Sequence, residues 1–193
     1  MQIELKKLEK YIDIYDIFRI LKKENNNKIA FLDSSLKNKY GRYSIIGINP
    51  YLELKENNKK FYINDVLSEE NFEEYLAKFL KENKQENNSI LPLISGGIVY
   101  FSYDYGRKFE NIATRHKKDL DIPEAIVTFY KTYIVEDIEK QEIYISYQDK
   151  KDYDNLVNLL EKTNLEKENL VKKNTLANFK SNFEKEEYLK AIK

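Results

Sequence analysis

Two adjacent glycines, Gly96 and Gly97, lead into an unbroken apolar and aromatic run, Ile98-Val99-Tyr100-Phe101. The run ends in a polar corner, Ser102-Tyr103-Asp104-Tyr105-Gly106-Arg107-Lys108-Phe109-Glu110. Glycines beside such a run mark a bulge or a close backbone approach, and the corner residues mark a turn. The pattern predicts a buried strand delivered into a tight turn. Asp104 and Arg107 stand three apart in that turn, a spacing that suits a structural ion pair and equally a functional pair.

The rest of the chain supplies short strands and amphipathic helices around this stretch. Ile3 to Leu8 alternates like a strand, and Ile14, Ile17, Phe18 and Leu21 recur at helical spacing until Glu24-Asn25-Asn26-Asn27. Ile29-Ala30-Phe31-Leu32-Asp33 predicts a short strand that ends at the turn formers Asp33-Ser34-Ser35. Tyr43 to Ile48, Tyr51 to Lys55 after Pro50, and Lys59 to Ile63 read as three strands of an antiparallel meander, with Glu56-Asn57-Asn58 as a hairpin turn. Ser68 opens a helix signature, with Glu69 and Glu70 in its first turn, Phe72, Leu76, Phe79 and Leu80 on one face, and an end near Glu82. Glu124 to Asp137 predicts one long or bent strand. It turns at Glu139-Lys140-Gln141 into a strand over Glu142 to Tyr147, and a helix follows over Lys151 to Lys162. Lys81 to Ser89, Asn111 to Asp121 and Glu161 to Lys180 are polar connections, and Glu184 to Lys193 begins a further helix.

Composition removes several function classes. The 33 basic and 33 acidic residues cancel, which argues against a nucleic-acid or anionic-membrane surface. Without cysteine there is no disulfide, zinc-thiolate site or thiol nucleophile. The one histidine, His116, stands in the polar run Thr114-Arg115-His116-Lys117-Lys118 and suits a solvated loop better than a catalytic base. The N-terminus lacks the apolar core of a secretory signal, and no apolar stretch approaches the ~20 residues of a membrane span. A cytoplasmic setting is expected. The 16 tyrosines interleave with β-branched residues as half-buried strand positions do, and they do not form a base-stacking platform.

The segment from Gly96 to Glu110 resembles the Gly-Gly-x-x-Gly-Tyr-x-Ser-Tyr-Asp-x-Gly-Arg-x-Phe-Glu element in the N-terminal region of the chorismate-utilising synthases. It is most similar to aminodeoxychorismate synthase component I and next to anthranilate synthase component I. Tyr100 stands where that family often has a further glycine. Phe31-Leu32-Asp33-Ser34 with Gly41-Arg42-Tyr43-Ser44-Ile45-Ile46-Gly47-Ile48-Asn49-Pro50, and Ser181-Asn182-Phe183-Glu184-Lys185-Glu186-Glu187-Tyr188-Leu189, match in the same order. Glu184 departs from the threonine or serine often found at that place.

The resemblance implies an α+β fold of antiparallel, sandwich-like sheet with a few packed helices. It implies an N-terminal domain over 1–165, a linker over 166–182, and the start of a chorismate-binding catalytic domain over 183–193. Catalytic residues and Mg2+ belong, by the resemblance, to that further domain, so no catalytic residue, metal site or cofactor is assigned to this chain. The partners it implies are the catalytic domain, a glutamine amidotransferase subunit and tryptophan. Asp33, Ser34 and Arg42 stand where the family forms a tryptophan pocket. A carboxylate suits an α-ammonium, a hydroxyl adds a hydrogen bond, and a guanidinium can receive a carboxylate. From the residues alone, Asp33-Ser34 is equally a turn at a strand end.

The expected function is the non-catalytic N-terminal domain of aminodeoxychorismate synthase component I, which aminates chorismate on the way to p-aminobenzoate and folate. The alternatives are the corresponding domain of anthranilate synthase component I, with its feedback site, and a stand-alone amino-acid-binding module.

Overall fold

The structure, a computed structural model, describes residues 3–24, 28–36, 40–110, 120–162, 181 and 184–192. His116, most of the connection after the polar corner, the 163–180 connection, and Asn182 and Phe183 lie outside the described residues. The chain divides into two compact units, Met1–Thr163 and Asn164–Lys193.

In the first unit eight strands among the described residues join one antiparallel sheet: β1 (Glu4–Lys7), β2 (Ala30–Leu32), β3 (Tyr43–Asn57), β4 (Lys60–Ile63), β5 (Val66–Ser68), β6 (Gly97–Phe101), β7 (Ala125–Asp137) and β8 (Glu142–Tyr147). Three helices accompany them: α1 (Ile14–Glu24), α2 (Phe72–Glu82) and α3 (Lys150–Lys162). The α+β class with antiparallel strands is the one expected. The long strands β3 and β7 pair along their whole length, from Tyr43 opposite Asp137 to Glu56 opposite Ala125, and form the spine of the sheet. At the Asp137 end the spine is flanked by β2 on one side and by β8 and β1 on the other. At the Ala125 end it is flanked by β4 and β5, and by β6.

Pro50 was expected to separate two strands, yet β3 runs through it. The register between β3 and β7 steps by one residue between Pro50 and Leu52, and Asn49 just before takes a left-handed φ of 57°. A bulge is where a strand interior tolerates proline, because the missing N–H leaves no ladder bond unmade there. Asn tolerates the left-handed region better than most residues.

Three further expectations are corrected. The hairpin after β3 turns on Asn58 and Lys59, both at positive φ, one residue later than expected. The second turn, Asn64-Asp65 at φ 49° and 65°, creates β5, which takes in Ser68. The helix expected from Ser68 therefore starts later: Asn71 caps α2 by accepting from the Glu74 N–H at 3.0 Å, and Glu73 and Glu74 occupy its first turn. Third, β6 is not a buried strand, for Val99, Tyr100 and Phe101 are 54%, 44% and 44% exposed. The corner after it is a six-residue 3-10 helix, Tyr103–Lys108.

Two buried clusters follow one another along the spine. Ile46 and Ile48 of β3, Ile134 of β7 and Ile143, Ile145 and Tyr147 of β8 meet Ile14, Ile17, Ile20 and Leu21 of α1 and Leu156 and Leu160 of α3. Phe18 stacks on Phe31, and Tyr147 on Tyr153, at the margin of this cluster. Leu52 and Leu54 of β3, Phe61 of β4 and Ala125, Val127 and Phe129 of β7 meet Phe72 of α2, with Tyr75, Leu76, Phe79 and Tyr105 packed alongside.

The second unit contributes one described helix, α4 (Lys185–Ala191). Its start is held by a reciprocal pair: the Glu184 side chain accepts from the backbone of Glu187, and the Glu187 carboxylate accepts from the Glu184 N–H. Glu184 thus does the work of a serine or threonine cap.

Candidate functional site

The three residues expected to line an amino-acid pocket fall around the start of β3. β2 pairs with β3 through Leu32 opposite Ile45, which brings the chain after Leu32 alongside Tyr43. Ser34 is fixed there on both sides: its hydroxyl donates to the Tyr43 carbonyl at 2.7 Å, and its N–H donates to the Ser44 Oγ at 3.2 Å. Asp33 is exposed. Arg42 grips the fully buried Asp137, with Nε donating to Oδ1 at 3.1 Å and Nη2 donating to Oδ2 at 2.7 Å. A second carboxylate, that of Glu139, stands 3.4 Å from Arg42 Nε.

This geometry changes the chemistry open to Arg42. Hydrogen bonds from Arg42, with a further one from the Lys140 N–H, hold the Asp137 carboxyl below the usual carboxylate range. A two-pronged guanidinium–carboxylate pair is among the strongest side-chain contacts, so Arg42 is engaged within the fold and not held in reserve for a ligand carboxylate. Asp33 presents an exposed carboxylate and Ser34 a hydroxyl, though the Ser34 hydroxyl already has a backbone acceptor.

The glycine and tyrosine corner lies at the other end of the spine, where Phe101 stands opposite Ala125. With a strand rise of about 3.3 Å per residue, the thirteen residues of β7 separate the two ends by roughly 40 Å. The structure therefore does not bring Asp33, Ser34 and Arg42 together with Tyr103, Asp104, Gly106 and Arg107.

Each element of the corner has a local physical cause. Gly96 takes φ +128°, a conformation that side chains rarely adopt. A Cβ on Gly97 would meet Val127 Cγ1 at 2.9 Å and the Phe129 ring at 3.2 Å. The Gly96 carbonyl also accepts a hydrogen bond from the buried Tyr133 hydroxyl, and burial pushes that phenol's pKa well above its ordinary value. Gly106 is different, for nothing lies within 4 Å of where its Cβ would be. Asp104 and Arg107 pair with each other at 2.9 Å on the surface, and Tyr103 is almost fully exposed.

Beneath the corner is a polar network that no local sequence signal announced. Lys108 Nζ lies 2.6 Å from the buried carboxylate of Glu56 and 2.7 Å from Glu73. The Tyr105 hydroxyl donates to the same Glu73 oxygen at 2.7 Å. Burial works to lower the Lys108 pKa, but the two carboxylates raise it overall. Burial likewise works to raise that of Glu73, and the bonds from Lys108 and Tyr105 hold it down. Burial first and Glu73 second push the Tyr105 phenol up. The network ties the 3-10 helix to α2 and to the end of β3, so its charged groups serve the fold. No cluster of acidic or histidine side chains able to hold a metal occurs among the described residues, and no helix among them is long and apolar enough to cross a membrane.

The family profile described as chorismate binding enzyme matches residues 10–193. Anthranilate synthase component 1 of Acetivibrio thermocellus is 32% identical over 146 residues, which cover 72% of this chain and 30% of the relative. Aminodeoxychorismate synthase component 1 of Klebsiella aerogenes is 33% identical over 60 residues, which cover 31% of this chain and 13% of the relative. Among solved structures, anthranilate synthase component I from Streptococcus pneumoniae TIGR4 superposes with a TM-score of 0.53 at 22% identity, over 73% of this chain and 33% of that one. That likeness concerns the fold. The matched stretch spans a third or less of the length of each of these proteins.

Proposed function

The chain belongs to the family of chorismate binding enzymes, and on that premise we propose that it is the N-terminal, non-catalytic part of an aminodeoxychorismate synthase component I. In this role it would accompany a catalytic part that binds chorismate and Mg2+, and a glutamine amidotransferase would supply the ammonia. The observation that carries the proposal is the use this chain makes of its buried charges. Among the described residues the three buried carboxylates are each engaged within the fold: Asp137 is held by Arg42, Glu56 by Lys108, and Glu136 accepts from the Tyr11 hydroxyl at 2.7 Å; side chains so engaged serve structure before proton transfer.

The Ser102-Tyr103-Asp104-Tyr105-Gly106-Arg107 corner favours the aminodeoxychorismate product. A second product is supported by coverage, since the Acetivibrio anthranilate synthase matches 72% of this chain against 31% for the Klebsiella protein. The test has two stages. Chorismate and ammonia given to the 193-residue chain yield no product above a blank, and turnover there would overturn the non-catalytic role. The same substrates given to a polypeptide joining this segment to its catalytic part yield 4-amino-4-deoxychorismate, whereas anthranilate would assign the second product.

A further inference from the structure

We propose that the outer edge of β6 is a self-association surface, on which a second copy of this chain adds its own β6 antiparallel to the first. The hydrogen-bonding direction of β6 follows from one contact. Ser102 N–H donates to the Glu124 carbonyl at 2.8 Å, in register with Phe101 opposite Ala125. In an antiparallel ladder such bonds recur at every second residue, so Tyr100 and Ile98 direct their backbone groups at β7. The N–H and C=O groups of Gly97, Val99 and Phe101 point the other way, and among the described residues no strand pairs with that side.

The other free edges of the sheet carry the devices that prevent strand addition. β1 has Glu4, Lys6 and Lys7 among its four residues, while β2 and β5 are three residues each. β6 has five residues without a charge, a proline or a bulge, and its Val99, Tyr100 and Phe101 are all exposed. Its sequence is also complementary to itself. A twofold through Val99 sets Val99 against Val99 of the second copy, Ile98 against Tyr100, and Phe101 against Gly97. The bulky ring then lies over the one residue that has no side chain, an arrangement known to shield edge glycines. The chain's balanced charge, 33 basic against 33 acidic residues, leaves no net repulsion between copies.

This surface does not depend on the function proposed above, and its test uses the chain alone. Sedimentation equilibrium is expected to show the average mass rising from one chain toward two as concentration increases. Over the same range, exchange of the Val99 and Phe101 amide protons slows, while exposed loop amides are unaffected. Val99→Lys and Val99→Glu each place like charges face to face across the twofold, so each variant alone loses the dimer and an equimolar mixture regains it. A wild-type chain that stays monomeric at its highest attainable concentration overturns the proposal. So does a dimer in which the Val99 and Phe101 amides exchange as fast as in the monomer, or one that survives both substitutions unchanged.

Discussion

Arg42 and Asp137 close the spine of this protein at one end: the guanidinium reaches from the residue before β3 to the last residue of β7 and meets both oxygens of a carboxylate that has no solvent exposure. Removing the charge by Asp137→Asn is expected to cost about 2 kcal/mol, the usual range for a hydrogen bond to a charged group. Arg42→Gln is expected to be the more damaging change, because it leaves the buried carboxylate without its counter-charge. Urea unfolding of the two variants beside the wild type checks both the size and the order.

The same pair sets an acid limit. Because the Asp137 pKa is depressed in the folded chain, the unfolded chain binds the extra proton, and the stabilisation is present above the unfolded value of about 4. It is lost as pH falls through the lower, folded value. Stability measured against pH should drop on the acid side of about pH 4, and in Arg42→Gln that drop should be shallower.

Gly97 and Gly106 are expected to answer differently to the same change. Gly97→Ala forces a methyl group against Val127 and Phe129, an overpacking worth about 1–3 kcal/mol. Gly106→Ala enters open space and should stay within about 0.5 kcal/mol of the wild type. Thermal unfolding of the two variants side by side is the measurement, and equal losses would refute the distinction.

The network under the corner predicts an alkaline limit. Tyr105 and Lys108 both have raised pKa values in the folded chain, so their contribution is complete below the unfolded values of about 10 and is lost as pH rises toward the folded ones. Lys108→Met strands the buried Glu56 carboxylate and should cost about 2 kcal/mol, and Tyr105→Phe, which deletes one hydrogen bond, about 1 kcal/mol. Stability curves between neutral pH and the alkaline transition should be flatter in Tyr105→Phe.

Tryptophan should bind this chain weakly. With Arg42 engaged by Asp137, the ligand is left with the exposed Asp33 and the hydroxyl of Ser34. An exposed ion pair contributes about 0–1 kcal/mol, against the roughly 8 kcal/mol of a micromolar complex. Calorimetric titration giving micromolar affinity would show that the guanidinium changes partners.

The elements that periodicity could locate were legible: α1, α3, β7 and β8 lie where their apolar residues recur. Asn64-Asp65 is a turn signal of its own, and that turn is what sets β5 between β4 and α2. Pro50 was a legitimate breaker whose effect was absorbed by a bulge, which depends on the neighbouring strand. The apolar run of β6 looked buried because composition cannot distinguish the middle of a sheet from an unpaired edge. The resemblance singles out Asp33, Ser34 and Arg42, but Asp137, the partner of Arg42, lies 95 residues away in sequence, and Glu56 lies 52 residues from Lys108. Such charge pairs leave no local spacing to detect.

The β3–β7 ladder has a consequence for how the chain reaches its folded state. Each buried cluster takes residues from both strands, so neither can form until segments far apart in sequence have met and the loop between them has closed. Contacts of that separation slow folding. Because one continuous ladder carries both clusters, loss of one frees the strands that hold the other, and the two are expected to melt as one cooperative unit.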